Sequence, residues 1–196
     1  MAKSGLLFIL SAPSGAGKST LAKSIVKTDR RFVLSVSYTT RPPRPYEVSG
    51  KDYYFVSKDK FEKLRAAGVF IETAHVHGAY YGTPKGPINR ALSTGQYILL
   101  AIDVVGAKNI AKAYPKNTVG IFLLPPNAKV WLGRLKQRKE HNWKTRVRNA
   151  KHEMRAINFF NYKIVNDNLK DATADFFALA RAEELKRQQP ALLGLN

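Results

Sequence analysis

Apolar positions fall in short continuous runs, and between the runs they recur with helical spacing. Leu6–Ser11 (LLFILS) is short and apolar throughout, which predicts a strand buried on both faces. Lys18–Lys27 follows with Leu21, Ile25 and Val26 on one helical face. Phe32–Ser37, Tyr97–Ile102, Val119–Leu124 and Lys163–Val165 predict further strands. Val104–Ala113, Lys129–Arg138, Arg146–Ile157 and Ala172–Arg187 have the spacing of helices. Strands alternating with helices predict an α/β fold built on a doubly wound, mainly parallel sheet.

The stretch Tyr38–Gly95 breaks this rhythm. It is rich in Tyr, Pro and Gly, with short alternating runs at Tyr53–Val56 and Phe70–His77 and one helical segment near Asp59–Ala67. It is expected to form a small inserted subdomain of mixed α/β structure. Gln188–Asn196 reads as a loose tail, and no internal repeat interrupts the chain.

Composition narrows the class. The 196 residues suit one domain, and a hydrophobic content of 44% against 24% charged supports a packed core. Without cysteine there is no disulfide scaffold, thiolate metal site or cysteine nucleophile, which fits a reducing compartment. His75, His77, His141 and His152 are too few and too scattered for a zinc site. No apolar run approaches the ~20 residues of a membrane helix. Gly5–Leu10 is too short for a secretory leader and runs straight into a glycine-rich loop, so a cytoplasmic location is expected.

That loop carries the strongest local motif. Ala12, Pro13, Ser14, Gly15, Ala16, Gly17, Lys18, Ser19 and Thr20 match the P-loop pattern, with Ala12 in the first glycine position. Its glycines let backbone N–H groups turn toward a phosphate, and the next helix adds the favourable end of its dipole. Lys18 is placed to reach the β- and γ-phosphates of ATP, and the Ser19 hydroxyl to ligate Mg²⁺.

Beyond the loop, several separated motifs occur in a set order. They are Ser37-Tyr-Thr-Thr-Arg41-Pro-Pro-Arg44-Pro-Tyr-Glu47-Val-Ser-Gly50-Lys51-Asp52-Tyr53, Phe70-Ile-Glu72, Tyr80-Tyr81-Gly82-Thr83, Ile102-Asp103, Pro125-Pro126 and Ile164-Val-Asn166-Asp167. From Leu7 to about Ala172 the chain resembles the guanylate kinases, P-loop enzymes that phosphorylate GMP with ATP. The resemblance implies a P-loop NTPase-type core over 4–37 and 96–187, a GMP-binding subdomain over about 38–95, a short lid over about 138–147 and the tail at 188–196.

The residues of the insert suit that implication. Arg41, Arg44, Tyr53 and Tyr81 offer cations and hydroxyls to an acceptor phosphate. Guanine presents N1–H and N2–H₂ donors, which the Glu72 carboxylate can accept and which adenine lacks. The resemblance adds Ser37, Thr83 and Asp103 as guanine and ribose contacts and Glu47 as a further residue of the GMP site. It also implies that Lys18, Arg41, Arg138 and Arg146 serve phosphoryl transfer, the last two as lid cations. Arg134 and Asn166 would lie at the donor nucleotide. The implied substrates are ATP and GMP, with dGMP a further acceptor and Mg²⁺ the metal. A monomer or homodimer is expected, with no specific nucleic-acid or membrane partner.

Three positions depart from the family pattern. Ala101 stands where these kinases usually carry the first aspartate of Asp-Ile-Asp, and Val105 replaces a polar residue after Asp103. The segment between Arg138 and Arg146 is shorter than the usual lid. Two further readings therefore stand beside the kinase. One is a degraded guanylate-kinase-like module that binds nucleotide or an acidic peptide, and the other is a basic protein associated with nucleic acid. The formal charge of +19 exceeds what a nucleotide site needs, and Lys129–Arg155 alone carries +8 of it.

Overall fold

The computed structural model describes residues 5–76, 78–137 and 143–187, with backbone alone at 137, 143–146 and 152. Its centre is β1 (Leu6–Ser11), flanked on both sides by strands that run parallel to it. The five-stranded sheet has the order β2 (Phe32–Leu34), β7 (Tyr97–Ala101), β1, β8 (Thr118–Leu124), β9 (Tyr162–Val165). The whole of β1 is buried, as its unbroken apolar run predicts.

Strand alternation divides the core in two. Leu6, Phe8 and Leu10 face α1 (Lys18–Thr28) and α7 (Leu169–Arg187), packing with Leu21, Ile25 and Phe176. Leu7 and Ile9 face the other way, toward α3 (Lys85–Thr94) and α4 (Val104–Ala113), with Ile88, Ala91, Ala107 and Ile110. Rings dominate the first layer. Phe176 lies 5.5 Å from Phe8, 5.2 Å from Phe32 and 5.7 Å from Phe177, all in edge-on geometry.

A second sheet belongs to the insert, in the order β4 (Tyr54–Phe55), β3 (Tyr38–Thr39), β6 (Ala79–Pro84), β5 (Phe70–Val76). Its helix α2 (Lys58–Ala66) starts at Ser57, whose hydroxyl accepts from the Lys60 N–H at 3.2 Å. Phe61 from α2 stacks on Phe70 and Tyr80 beneath the sheet. The two halves of the molecule are tied by α4 lying against β5 and by a Lys23–Asp52 ion pair at 2.5 Å.

Several elements differ from the sequence pattern. The second strand ends at Leu34 rather than Ser37, because the chain leaves the core there to become β3 of the insert. The strand expected over Tyr53–Val56 contracts to Tyr54–Phe55. Helix α5 (Ala128–Gln137) matches its expected span, apart from Arg138, which lies outside the described residues. Helix α6 (Trp143–Arg155) begins earlier than Arg146 and gives way to a 3-10 turn at Ile157–Phe159. β6 and α3 had no counterpart in the pattern. His77, residues 138–142 of the lid (His141 among them) and the tail also lie outside the described residues. Among the described residues no helix is long and apolar enough to cross a membrane.

Removing a ring from the aromatic layer should leave a cavity that the parallel sheet cannot close. Phe176→Ala is expected to lower the unfolding free energy by about 3–5 kcal/mol, read from urea denaturation. A loss below ~1 kcal/mol would show that the layer repacks freely.

Candidate active site

Ligands of open α/β sheets bind beyond the carboxyl ends of the strands, and here those ends carry Ala12, Ala101 and Asp103. A cleft opens at this edge between core and insert. It is lined by Ala12, Pro13, Ser14, Gly15, Gly17, Lys18 and Ser19 from the loop after β1, and by Ser37, Arg41, Arg44, Tyr53, Glu72, Tyr81 and Thr83 from the insert. Ala101, Ile102 and Asp103 close it from the end of β7.

The loop is held in shape by close backbone approach. Gly17 precedes α1 with φ of +97°, a left-handed conformation that favours glycine. Any Cβ there would also collide with the Asn166 amide. Asn166 is buried and donates to the Ala16 carbonyl at 2.8 Å, so it braces the loop from the far side. Arg134 donates to the Asn166 and Asp167 carbonyls at 3.0 and 3.1 Å, which ties α5 to the same brace. Trp131 adds a hydrogen bond from its indole N–H to the Ser14 carbonyl at 2.8 Å. Lys18 reaches across the cleft and donates to the Ile102 carbonyl at 2.8 Å.

On the insert side, two arginines converge on one carboxylate. Glu47 accepts from Arg41 Nη2 at 2.9 Å through both oxygens, and from Arg44 Nη1 at 2.9 Å and the Arg44 backbone N–H at 2.8 Å. Burial pushes the Glu47 carboxyl up, but these hydrogen bonds and the two positive charges outweigh it and hold the group below its ordinary range. The Arg41 guanidinium also lies 5.6 Å from the Tyr53 ring and 5.7 Å from the Phe55 ring. Tyr53 packs edge-on to Tyr81 at 5.9 Å. Burial raises the Tyr53 phenol to about 12, so it keeps its proton and remains a donor near neutral pH.

The base end is built by a bulge. β5 pairs Phe70 with Pro84 and Glu72 with Thr83, so Ile71 is an extra residue in the ladder. The bulge sets Glu72 opposite Thr83, whose hydroxyl donates to Glu72 Oε1 at 2.5 Å. Oε2 is buried and has no hydrogen-bond partner among the described residues. Burial raises the Glu72 carboxyl to about 7, with the Thr83 hydrogen bond opposing and the Asp103 charge reinforcing the shift. Asp103 caps α4, accepting from the Val105 N–H at 2.7 Å and the Gly106 N–H at 3.0 Å.

Most of the residues singled out from sequence thus meet in one cleft. Thr20 and Glu47 instead line an adjoining cavity, together with Ser35 and Ala101. Asn166 and Arg134 stand behind the loop as its support, and Ala16 is the loop residue that Asn166 braces. Arg138 and the Arg146 side chain lie outside the described residues. Sequence reasoning missed Trp131, Val76 and Gly106. No local signal marks the first two, and Gly106 is one glycine within an ordinary helical pattern.

The chain matches the family model "Guanylate kinase" over residues 4–183. It is 43% identical over 188 residues to a guanylate kinase of Chelativorans sp. (strain BNC1), covering 94% of this chain and 86% of that relative. It is 42% identical over 191 residues to a guanylate kinase of Thiobacillus denitrificans, covering 96% and 91%. The crystal structure of guanylate kinase from Anaplasma phagocytophilum superposes with a TM-score of 0.80 at 32% identity, covering 94% of this chain and 89% of the other.

The raised Glu72 carboxyl has a consequence for the unliganded protein. Its contribution to stability is intact below the ordinary value of 4.5 and is lost as pH rises through about 7. Glu72→Gln should therefore be stabilising relative to the parent at pH ~8, by about 1–3 kcal/mol, and close to neutral at pH ~4.5. Urea unfolding at the two pH values checks this, and an equal difference at both would contradict it.

Proposed function

This chain belongs to the guanylate kinase family, and from that premise we propose that its cleft transfers the γ-phosphoryl group of ATP to GMP, or dGMP, through the residues assembled there. The observation that carries the assignment of residues is convergence. Lys18, Arg41 and Glu72, from three distant segments, line a single cleft at the carboxyl edge of the sheet.

The donor triphosphate lies on the loop N–H groups, and Lys18 exchanges the Ile102 carbonyl for the β- and γ-phosphates. The acceptor phosphate takes Arg41 and Arg44 as cations and Tyr53 and Tyr81 as hydroxyl donors. Glu47 keeps both guanidinium groups aimed when the site is empty. Glu72 accepts from guanine N1–H and N2–H₂, with Ser37, Thr83 and Asp103 completing the base and ribose contacts. An acceptor phosphate oxygen attacks the γ-phosphorus, the bond to the β–γ bridging oxygen breaks, and ADP leaves with those electrons. The acceptor phosphate, with a second pKa of about 6, is already largely ionised at neutral pH, so no general base is required. Arg138 and Arg146 serve as lid cations for the charge that spreads over the transferring group.

Mg²⁺ supplies further charge to the phosphates when bound. The side chains present fit a metal held chiefly by the nucleotide. Ser19 offers a hydroxyl to the cleft, Ala101 offers nothing, and no group of three or more His, Asp or Glu among the described residues could hold an ion alone. A monomer or a homodimer carries this reading equally. A cytoplasmic location is part of this proposal, supported by substrates that are soluble nucleotides. An intact loop lysine and a complete acceptor set favour turnover over a binding-only module.

Initial rates of ADP formation with GMP, dGMP, AMP, UMP and CMP test this reading. Guanine nucleotides should be used at least ~100-fold better than AMP, and comparable use of AMP would overturn the role of Glu72. Since kcat/KM reports the free enzyme, its value for GMP should fall as pH drops below about 7, the point to which Glu72 is raised. The Ser35 hydroxyl, buried and without a hydrogen-bond partner among the described residues, borders the same cavity as Ala101. Ala101→Asp should lower the Mg²⁺ concentration for half-maximal rate while leaving the KM for GMP unchanged. Identical Mg²⁺ titrations of the two proteins would show that position 101 does not act on the metal.

A further inference from the structure

We propose that Gly106 is a positioning residue for guanine recognition, because its bare backbone sets where the Glu72 carboxylate stands in the cleft. The inference rests on the reading of Glu72 as the acceptor of the guanine donors.

Gly106 lies buried in the first turn of α4 and is not among the glycines with positive φ. Its backbone conformation is open to any residue, and alanine is the better helix former. The glycine therefore needs another reason. A Cβ built at this position would meet Glu72 Oε2 at 3.1 Å, Cδ at 3.2 Å and Oε1 at 3.2 Å. These three nearest atoms all belong to one carboxyl group, and the separations are tighter than side-chain carbons normally keep.

The carboxyl has little room to yield. Thr83 holds Oε1 at 2.5 Å from one side, and the bulge at Ile71 fixes the backbone that carries Glu72. A methyl group at 106 would displace the carboxylate by a few tenths of an ångström. It would also cover Oε2, which already lacks a hydrogen-bond partner among the described residues. Guanine is rigid, so its two donors cannot follow a displaced acceptor without losing alignment. Gly106 acts on the second carboxylate too, since its N–H donates to Asp103 Oδ1 at 3.0 Å. One short stretch of backbone thus spaces the two acidic groups at the base end of the cleft. Asp103 is the charged neighbour that acts on Glu72 from the start of the same helix.

The test compares the parent, Gly106→Ala, Glu72→Gln and the double variant. Gly106→Ala is expected to raise the KM for GMP about tenfold and to leave the KM for ATP within about twofold. Its kcat/KM profile for GMP should move to higher pH, because added hydrocarbon makes the carboxyl harder to ionise. In the Glu72→Gln background the same substitution should change the KM for GMP by less than about twofold, the pairing being already lost. A lowered Tm with equal rises in both KM values would mark Gly106 as a packing glycine only and overturn the proposal. So would an unchanged KM for GMP. If Glu72→Gln itself leaves GMP use intact, the guanine reading fails first, whatever Gly106→Ala does.

Discussion

A carboxylate that is buried, satisfied at one oxygen and unsatisfied at the other is costly for any fold to keep. Much of the insert, and the end of β7, is arranged around keeping one. The bulge at Ile71 aims Glu72 at Thr83, and Thr83 supplies its hydrogen bond among the described residues. Gly106 gives way so that the group can lie against α4, and α4 lies against β5. On the proposed reading, the open oxygen accepts from the donors of a guanine edge. Stability is given up where the ligand restores it, which is the usual relation between a strained site and its function.

The cations follow a similar logic. Lys18 donates to the Ile102 carbonyl, and Arg41 and Arg44 share Glu47. Each is held in position by a partner, so little side-chain entropy remains to be lost when phosphates arrive. Arg134 has its bonds with the 166–167 carbonyls, which makes it a brace for the loop that would cradle the donor. The excess of positive charge elsewhere lies outside this arrangement and is not needed to explain it.

The core was legible because a parallel strand buried on both faces leaves an unmistakable run. LLFILS ends in a glycine-rich loop and then an amphipathic helix, and the structure keeps all three at the expected places. The insert was legible as motifs rather than as elements. β6 holds Tyr80, Tyr81 and Gly82, a mixture without clean alternation, and α3 begins Lys85-Gly86-Pro87, which reads as a turn. Tertiary packing of Ile88 and Ala91 on the core sheet decides that helix. Arg41, Glu72 and Tyr81 could be named from resemblance. Glu47 meets Arg41 and Arg44 within six residues of chain, whereas that Gly106 would face Glu72 depends on a contact across the fold that no local pattern encodes.

The central claim is that Glu72 is a destabilised carboxylate whose ionised form is claimed by guanine. Carbon-13 NMR of the side-chain carboxyls, with Glu72 assigned by its Gln variant, measures this directly. The unliganded protein should show Glu72 titrating near about 7, where burial places it, and saturating GMP should move the titration well downward. A Glu72 that titrates near its ordinary 4.5 in the free protein, and does not shift with GMP, would contradict the account.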